Sequence, residues 1–298
     1  MSGSPVPERQ PVFVPREFPA EEVQTSVRRL RVLARRKPLL VIGISLLFLF
    51  VGLAVIGPLL VGDPLSTDPA NTFRAPSAQH WFGTDQFGRD VFARAVHAAR
   101  LDLTMGLIIA SIALAIGSTI GVISGYFGGV TDEIIMRLTD VVLAFPGFVL
   151  ALVLVAALSE SIPNVVFAVS VSFVPYFIRL TRGQVLRERE LEYVDGALLA
   201  GNTPMRVAFR HVLPNALAPS IVGATLVTGY AVLTVAGLSF LSVGIQPPTA
   251  EWGVMVGEGA KDIITGEWWT SFFPGAMIVL SIMAFHFIGD EFGGGETF

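Results

Sequence analysis

Long uninterrupted apolar runs, separated by short polar segments, are the dominant pattern of this chain. A helix needs about 20 apolar residues to cross the roughly 30 Å hydrocarbon layer of a membrane. Helices are expected because backbone groups in lipid must bond within their own segment, and the ~10-residue alternation of a membrane barrel is absent. The pattern therefore predicts six membrane-spanning helices, some with Gly or Pro interruptions, near Leu39–Val61, Leu103–Ser124, Ile134–Ala157, Val165–Leu180, Ala218–Val243 and Phe272–Ile288.

These runs predict an all-α membrane protein divided into five regions. We expect a cytoplasmic N-terminal tail at 1–38, a first transmembrane helix at 39–62, an extracytoplasmic loop at 63–100, a five-helix core at 101–290 with a polar segment at 183–215, and a C-terminal tail at 291–298.

The extracytoplasmic loop is predicted to end in a short helix on the membrane surface. One helical face there contains the apolar residues Val91, Phe92, Ala95, Val96 and Ala99. Asp90 and Arg94 have the i,i+4 spacing of an ion pair on this helix.

Composition and charge agree with a membrane protein and give its expected orientation. Apolar residues make up 52% and charged residues 15% of the 298 residues, against about a quarter charged in a soluble domain. The net charge of −4, with no basic patch among aromatics, argues against a nucleic-acid binder.

The N-terminal tail and the segment 179–215 hold 14 of the 20 basic residues, which predicts that both termini are cytoplasmic. All four tryptophans then lie outside, and we expect Trp268 and Trp269 at the membrane interface.

The polar segment at 183–215 has the pattern of two short helices joined by a tight bend. Leu191, Val194, Leu198 and Leu199 recur at helical spacing, and Gly201 suits a helix end. Thr203 can cap a second helix that begins at Pro204, and we expect Pro214 to limit it. An amphipathic projection of this kind fits docking into a groove on a partner protein.

The same segment resembles the cytoplasmic loop of permease subunits of bacterial ABC importers. That loop has the pattern Glu-Ala-Ala, three residues, Gly, nine residues, Ile-x-Leu-Pro, and this chain has Asp195-Gly196-Ala197, then Gly201, then Leu213-Pro214. The chain departs from it with Asp for Glu, Gly for the first Ala and His211 for Ile. The run 211–215, His-Val-Leu-Pro-Asn, is similar to the dipeptide/oligopeptide/nickel branch. Further similar stretches, which favour its C-type permease, are 83–90, 125–129, 132–137, 144–147, 236–241, 246–248, 252–253, 273–275 and 289–290.

The resemblance implies a type I ABC importer permease fold in the bacterial cell membrane, with cytoplasmic coupling helices between spans four and five. It implies four kinds of partner: a second homologous permease subunit, two ATP-binding subunits, an extracytoplasmic solute-binding protein and membrane lipid. ATP and Mg²⁺ would bind the ATP-binding subunits, and no cofactor is expected in this chain. The cargo would be dipeptides or oligopeptides, with nickel or another small solute as the alternative. The expected contacts with the ATP-binding subunits are Glu192, Tyr193, Asp195, Ala197, Gly201, Pro204, Arg210, Leu213 and Pro214.

Other features of the sequence leave alternatives open. Asp140, Phe145 and Pro146 are candidates for the translocation path or its gate, because intramembrane charges and helix kinks are often functional. The small-residue face of Gly117, Gly121 and Gly125 favours packing within the chain over contact with a second permease. No Gly-x-x-x-x-Gly-Lys-[Ser/Thr] motif occurs, so the chain is not expected to be an ATPase. An ion-coupled secondary transporter and a structural scaffold are the alternatives from other functional classes.

Overall fold

The computed structural model describes residues 37–293 of the chain. The predicted N-terminal tail lies outside the described residues except for its last two positions. Of the predicted C-terminal tail at 291–298, residues 291–293 belong to the last helix, and the others lie outside the described residues.

Regular secondary structure in this described part is helical, apart from one isolated bridge between Thr84 and Asp90. The helices of eight or more residues are α1 (Pro38–Val55), α2 (Val91–Phe127), α3 (Gly129–Leu143), α4 (Gly147–Leu158), α5 (Ile162–Glu188), α6 (Glu192–Leu199), α7 (Ala218–Phe240), α8 (Trp252–Ala260) and α9 (Trp269–Gly293). Shorter helical turns lie at Gly57–Leu60, Pro69–Asn71, Pro204–Val207, Ala208–Val212, Leu213–Ala216 and Asp262–Thr265.

Helix α2 is much longer than the span predicted for it. Its 37 residues correspond to about 55 Å at 1.5 Å per residue. The separate surface helix predicted before residue 101 is therefore wrong, because those residues form the first turns of α2. The predicted Asp90–Arg94 pair is also wrong: Asp90 caps α2 by accepting from the Ala93 N–H at 2.8 Å, and its other oxygen binds His80 Nδ1 at 2.8 Å.

The glycine face of α2 packs against α5 within the chain. Gly117 lies against Phe177, Gly121 against Ile178 and Thr181, and the next glycine on this face against Val185. The contacts advance in the same direction on both helices, so α2 and α5 run parallel. A Cβ at any of these glycines would come within 3.0 Å of α5. The predicted packing role of this face is thus confirmed.

The third predicted span is two helices and not one. Helices α3 and α4 meet at an angle of 84°. Pro146 has no N–H to donate, and it adopts an extended ψ of 126° immediately before α4. Because α2 and α5 are parallel, the bent pair must return the chain from the end of α2 to the start of α5. Five described helices are long and apolar enough to cross a membrane, and the bent pair makes six as one broken span.

The helices of the unit that begins at Leu39 have two distinct ends. The tryptophan end carries Trp81, Trp252, Trp268 and Trp269, and the arginine end carries Arg182, Arg187, Arg189, Arg206 and Arg210. Trp252 is fully buried and donates from Nε1 to Ala95 O at 2.9 Å. At the start of α9, Trp268 is 49% exposed, whereas Trp269 is 8% exposed and donates to Thr84 O at 3.1 Å, so the predicted position of both residues at a membrane interface stays a prediction.

Candidate functional site

A helical projection stands at the arginine end, between α5 and α7. We call residues 191–216 the projection. Its first helix, α6, has Glu192 and Asp195 in the first turn, where carboxylates favour a helix N-terminus. Gly201 ends this helix with a φ of +84°, a region that glycine enters without the Cβ clash of other residues. Its N–H donates to Leu198 O at 2.9 Å, so the predicted bend is present.

The second half of the projection starts as the sequence predicts but continues further. The Thr203 side chain caps it by accepting from the Arg206 N–H, and Pro204 is the first helical residue. The helical run then passes through a π-helical turn at Ala208–Val212 and continues at Leu213–Ala216. The expectation that Pro214 limits this helix is wrong, because the run continues through Pro214 to Ala216. The missing N–H of Pro214 directly follows the π-helical turn, where the α-helical bonding is already interrupted.

Only one side of the projection is anchored to the membrane helices. Val194, Val207 and Val212 are buried in a cluster with Val122 of α2 and Val185 of α5. The leucines of this stretch face outward: Leu191, the residue before α6, is 48% exposed, and Leu198 and Leu199 in α6 are 38% and 89% exposed. An exposed apolar surface beside exposed carboxylates is suited to contact with another protein.

The residues predicted from sequence to touch a partner mostly lie on the outer surface of this projection. Tyr193 is 38% exposed, donates from its hydroxyl to Glu188 Oε2 at 2.8 Å, and accepts from Asn215 Nδ2 at 3.4 Å. Burial raises the pKa of Tyr193 above its ordinary value, so the hydroxyl remains a donor at neutral pH. Ala197 and Leu213 are half-buried, and the exposed predicted residues are Glu192, Asp195, Gly201, Pro204, Arg210 and Pro214.

A polar network joins the base of the projection to α2 and α3. Arg182 of α5 binds Asp132 of α3 through two nitrogens, each 2.6 Å from a carboxylate oxygen. Ser124 donates to the same carboxylate at 2.5 Å, and Arg189 donates to Gly125 O at 2.8 Å. The network secures the turn between α2 and α3 to α5. We call these residues the base network; sequence reasoning missed them, although the heptad spacing of the two arginines places both on one face of α5.

The three candidate path residues lie at or near the bend between α3 and α4. Asp140 pairs with Arg179 of α5 at 2.5 Å, and the two side chains are 58% and 52% exposed. Phe145 and Pro146 form the break itself, and both are exposed. The structure thus places the three candidates on one bent element, whose charged pair is open on the surface of the single chain. No described residue other than Arg179 forms an ion pair with Asp140.

A second charged cluster lies at the tryptophan end and was not predicted. Arg89 and Arg94 are 4% and 2% exposed, and both bind Asp85 and Glu258. The shortest of these contacts is 2.6 Å, from Arg89 Nε to Asp85 Oδ2. This cluster fastens the loop before α2 to α8. Its partners are up to 169 residues apart, so no local pattern could have identified it.

The described residues 37–293 contain no group of three His, Asp or Glu side chains placed to hold a metal ion. The chemistry at both ends is that of ion pairs, caps and apolar contacts. Such an arrangement can dock partners and transmit movement.

Comparison with known proteins gives a consistent result. Residues 117–292 match the family described as "binding-protein-dependent transport system inner membrane component". The chain is 43% identical over 195 residues to the dipeptide transport system permease protein DppC of Alkalihalophilus pseudofirmus, covering 65% of this chain and 64% of that protein. It is 42% identical over 195 residues to the di/tripeptide transport system permease protein DppC of Pseudomonas aeruginosa, with coverages of 65% and 64%.

A third relative carries a different name. The glutathione transport system permease protein GsiD of Pectobacterium atrosepticum is 39% identical over 191 residues, covering 64% of this chain and 63% of that protein. The chain therefore spans a little under two thirds of the length of the curated relatives it matches.

Proposed function

The chain belongs to the family of binding-protein-dependent transport system inner membrane components, and from this premise we propose that it is the membrane-spanning permease subunit of an ATP-driven peptide importer. In this proposal the chain forms half of the translocation path and hydrolyses nothing. ATP and Mg²⁺ bind two separate ATP-binding subunits, a second homologous permease completes the path, and an extracytoplasmic solute-binding protein delivers the cargo. The arginine end is cytoplasmic, as the basic residues of the chain favour.

The observation that carries the proposal is the one-sided anchoring of the projection. Its inner side is packed on α2 and α5, so it moves with them, while Leu199 is 89% exposed. A leucine in that position is costly in water unless something covers it. An ATP-binding subunit bound to this surface would displace the projection, and the buried contacts of the projection would transmit that displacement to α2 and α5.

The base network connects the projection to the bent pair α3–α4. Asp132 of α3 is held by Arg182 of α5, and α5 leads directly into the projection. A displacement of the projection is therefore passed to α3, whose other end is the 84° bend. We propose that the bend at Phe145 and Pro146 is the part of the path that opens and closes.

The exposed Asp140–Arg179 pair supports a path on this face of the chain. Charged side chains inside a span are expensive against lipid, and they generally face a protein interior or a water-filled cavity. Both side chains are more than half exposed in the single chain, so a second permease and the path between the two subunits would cover them.

The names of the relatives favour a peptide as the cargo. Those quoted above are named for dipeptides, di/tripeptides and glutathione, which all contain peptide bonds. Nickel or another small solute is the alternative cargo. The test is to purify the cognate solute-binding protein and identify its bound ligand by mass spectrometry. A bound nickel ion, with no peptide, would reject the peptide assignment and leave the permease role intact.

Coupling can be tested with two matched surface substitutions. Leu199 in the projection is 89% exposed and Ile264 at the other end is 91% exposed, so aspartate at either position adds a charge without disturbing a core. We expect Leu199→Asp to abolish co-purification with the ATP-binding subunits and the ATP turnover of the complex. Ile264→Asp should leave both unchanged when no binding protein is present. Equal effects of the two variants would reject the projection as the coupling surface.

A different measurement separates the proposal from an ion-coupled secondary transporter. Proteoliposomes containing the complete complex, with the solute-binding protein outside, should take up peptide only when ATP is inside, on the side of the ATP-binding subunits, and an ion gradient alone should drive no uptake. Uptake driven by a proton or sodium gradient in the lone chain would reject the proposal.

A further inference from the structure

Two carboxyl groups are buried together at the tryptophan end, apart from the charged cluster described above. Asp102 of α2 is 2% exposed, and Glu251, the capping residue of α8, is fully buried. Asp102 Oδ2 accepts from the Trp252 N–H at 3.0 Å, and Glu251 Oε2 accepts from the Val254 N–H at 2.6 Å. Because Trp252 directly follows Glu251, the first turn of α8 brings both carboxyl groups to one place.

The second oxygen of each group has no partner. Asp102 Oδ1 and Glu251 Oε1 are buried and make no hydrogen bond within the described residues. An ionised carboxylate buried without a partner is costly, and two such charges side by side also repel each other. The pair borders an apolar cluster that contains Trp252, Leu103 and Ala236, and the Ser239 hydroxyl of α7 is the polar side chain that acts on Glu251.

No basic residue compensates the pair in the described part of the chain. On α2, Arg94 is bound to Asp85 and Glu258, and Arg100 is exposed. On α8, the other acid is Glu258, which those arginines hold. Residues 38–55, 147–158 and 241–250 contain no charged residue, and the tryptophan-side half of α7 offers Ser239 and Tyr230. The titratable residues of α9 lie towards its C-terminus, and the remaining neighbour on α2 is His97, five residues before Asp102.

A metal ion does not suit this geometry, whereas a proton does. Calcium takes six to eight oxygen ligands, and this pair has one uncommitted oxygen on each carboxyl. One proton is enough: it turns one carboxyl into an O–H donor, and the free oxygen of the other carboxyl is the acceptor. The net charge of the pair falls from two negative charges to one, and a bond between the two free oxygens would give each of them a partner.

We propose that Asp102 and Glu251 form a proton-binding site that holds one proton between the two carboxyl groups and so fastens α8 to α2. Burial raises the pKa of Glu251, although the N–H groups of Val254 and Gly253 and the hydroxyl of Ser239 oppose the shift. The site does not depend on the proposed transport function, because it rests on the contacts of this chain alone.

The sign of the pH effect follows from proton linkage. A carboxyl whose pKa is higher in the folded than in the unfolded chain binds its proton more tightly when folded. The stability that this proton contributes is complete below the unfolded pKa and is lost as pH rises through the folded pKa. Raising the pH should therefore weaken the attachment of α8 to α2.

The test uses the full-length chain in lipid nanodiscs, with its unfolding midpoint followed against pH. The variants Glu251→Gln and Asp102→Asn keep an acceptor for the backbone N–H and present an N–H₂ donor to the other carboxyl, as the shared proton would. We expect the wild-type midpoint to fall by a few degrees as pH is raised from acidic to alkaline, and both variants to lose this fall. Glu160→Gln, at an exposed site, and His97→Gln should keep it.

A second measurement covers the case in which a variant fails to fold. Infrared spectroscopy of the wild type should show the carbonyl band of a protonated carboxylic acid at neutral pH, and the band should vanish over the pH range in which the midpoint falls. Absence of that band at neutral pH would overturn the proposal. Retention of the wild-type pH profile by both amide variants, or its loss in His97→Gln, would overturn it as well.

Discussion

Replacing Gly121 by alanine should force α2 and α5 apart. A Cβ at this position would lie 2.8 Å from Ile178 O and 2.9 Å from Thr181 Cβ. Ordinary contacts between such atoms are about 3.5 Å, so one helix must move by more than about half an ångström. The obstruction includes backbone atoms of α5, so a change of rotamer cannot relieve it.

The expected cost can be worked from three contributions. Overpacking of a tight interface costs ~1–3 kcal/mol, and the better helix propensity of alanine returns up to ~1 kcal/mol. Thr181 also bonds Ser118 at 3.0 Å and Ser220 at 2.9 Å, and stretching such a bond costs about 1 kcal/mol. We expect a net loss of about 1–3 kcal/mol in the free energy of unfolding.

A matched control lies on the opposite helix. Gly183 of α5 is also inside a helix, but a Cβ there would meet nothing within 4 Å. Gly183→Ala should therefore stabilise the chain by about 0.5–1 kcal/mol, because only the propensity contribution remains. The assay is reversible unfolding of the full-length chain in mixed micelles, with denaturing detergent as the perturbant.

Two outcomes would refute the reasoning. If Gly121→Ala is as stable as Gly183→Ala, the close approach of the helices is not what stabilises this interface. If Gly117→Ala and Gly121→Ala add fully in the double variant, no common displacement links them, since one separation of the helices should relieve both clashes.

Three further outcomes follow from single sites. Glu258→Ala should destabilise the chain by ~3 kcal/mol in the same unfolding assay, because it removes a partner from two arginines that are at most 4% exposed. Gly201→Val should cost more than Gly201→Asn in ATP turnover of the assembled complex, since its φ of +84° is strained for a β-branched residue and more tolerable for asparagine; equal losses would contradict this. Asp140→Asn should change the unfolding free energy by less than ~1 kcal/mol, because its pair with Arg179 is exposed, but should slow peptide uptake; unaltered uptake would remove it from the path.

The number of spans was predictable because membrane insertion depends on local composition. Each of the six apolar runs appears as a helix or as the bent pair α3–α4. The boundaries were less predictable: α2 starts twelve residues before the predicted Leu103, and α5 continues eight residues past Leu180. Helical hydrogen bonding does not stop where the apolar run stops, since charged residues such as Arg187 are also good helix formers.

The projection, too, was predictable from the sequence only in part. The sequence correctly predicted the helix end at Gly201, the cap at Thr203 and the helix start at Pro204. Positive φ, capping and a missing N–H are properties of single residues and their neighbours. The exposure of Leu198 and Leu199 could not be predicted, because the apolar periodicity of α6 does not indicate which of its apolar residues pack against α2 and α5.

The sequence by itself determined that this chain is helical, that its apolar runs suit a membrane, and that a two-part projection follows α5. Only the tertiary structure decided which charges meet: Arg182 with Asp132, 50 residues away, and Arg94 with Glu258, 164 residues away. It also placed Asp102 beside the first turn of α8, 150 residues further along the chain. Apolar runs and caps act over one or two helical turns, whereas a buried charge is stabilised by whichever partner the packed helices bring within reach.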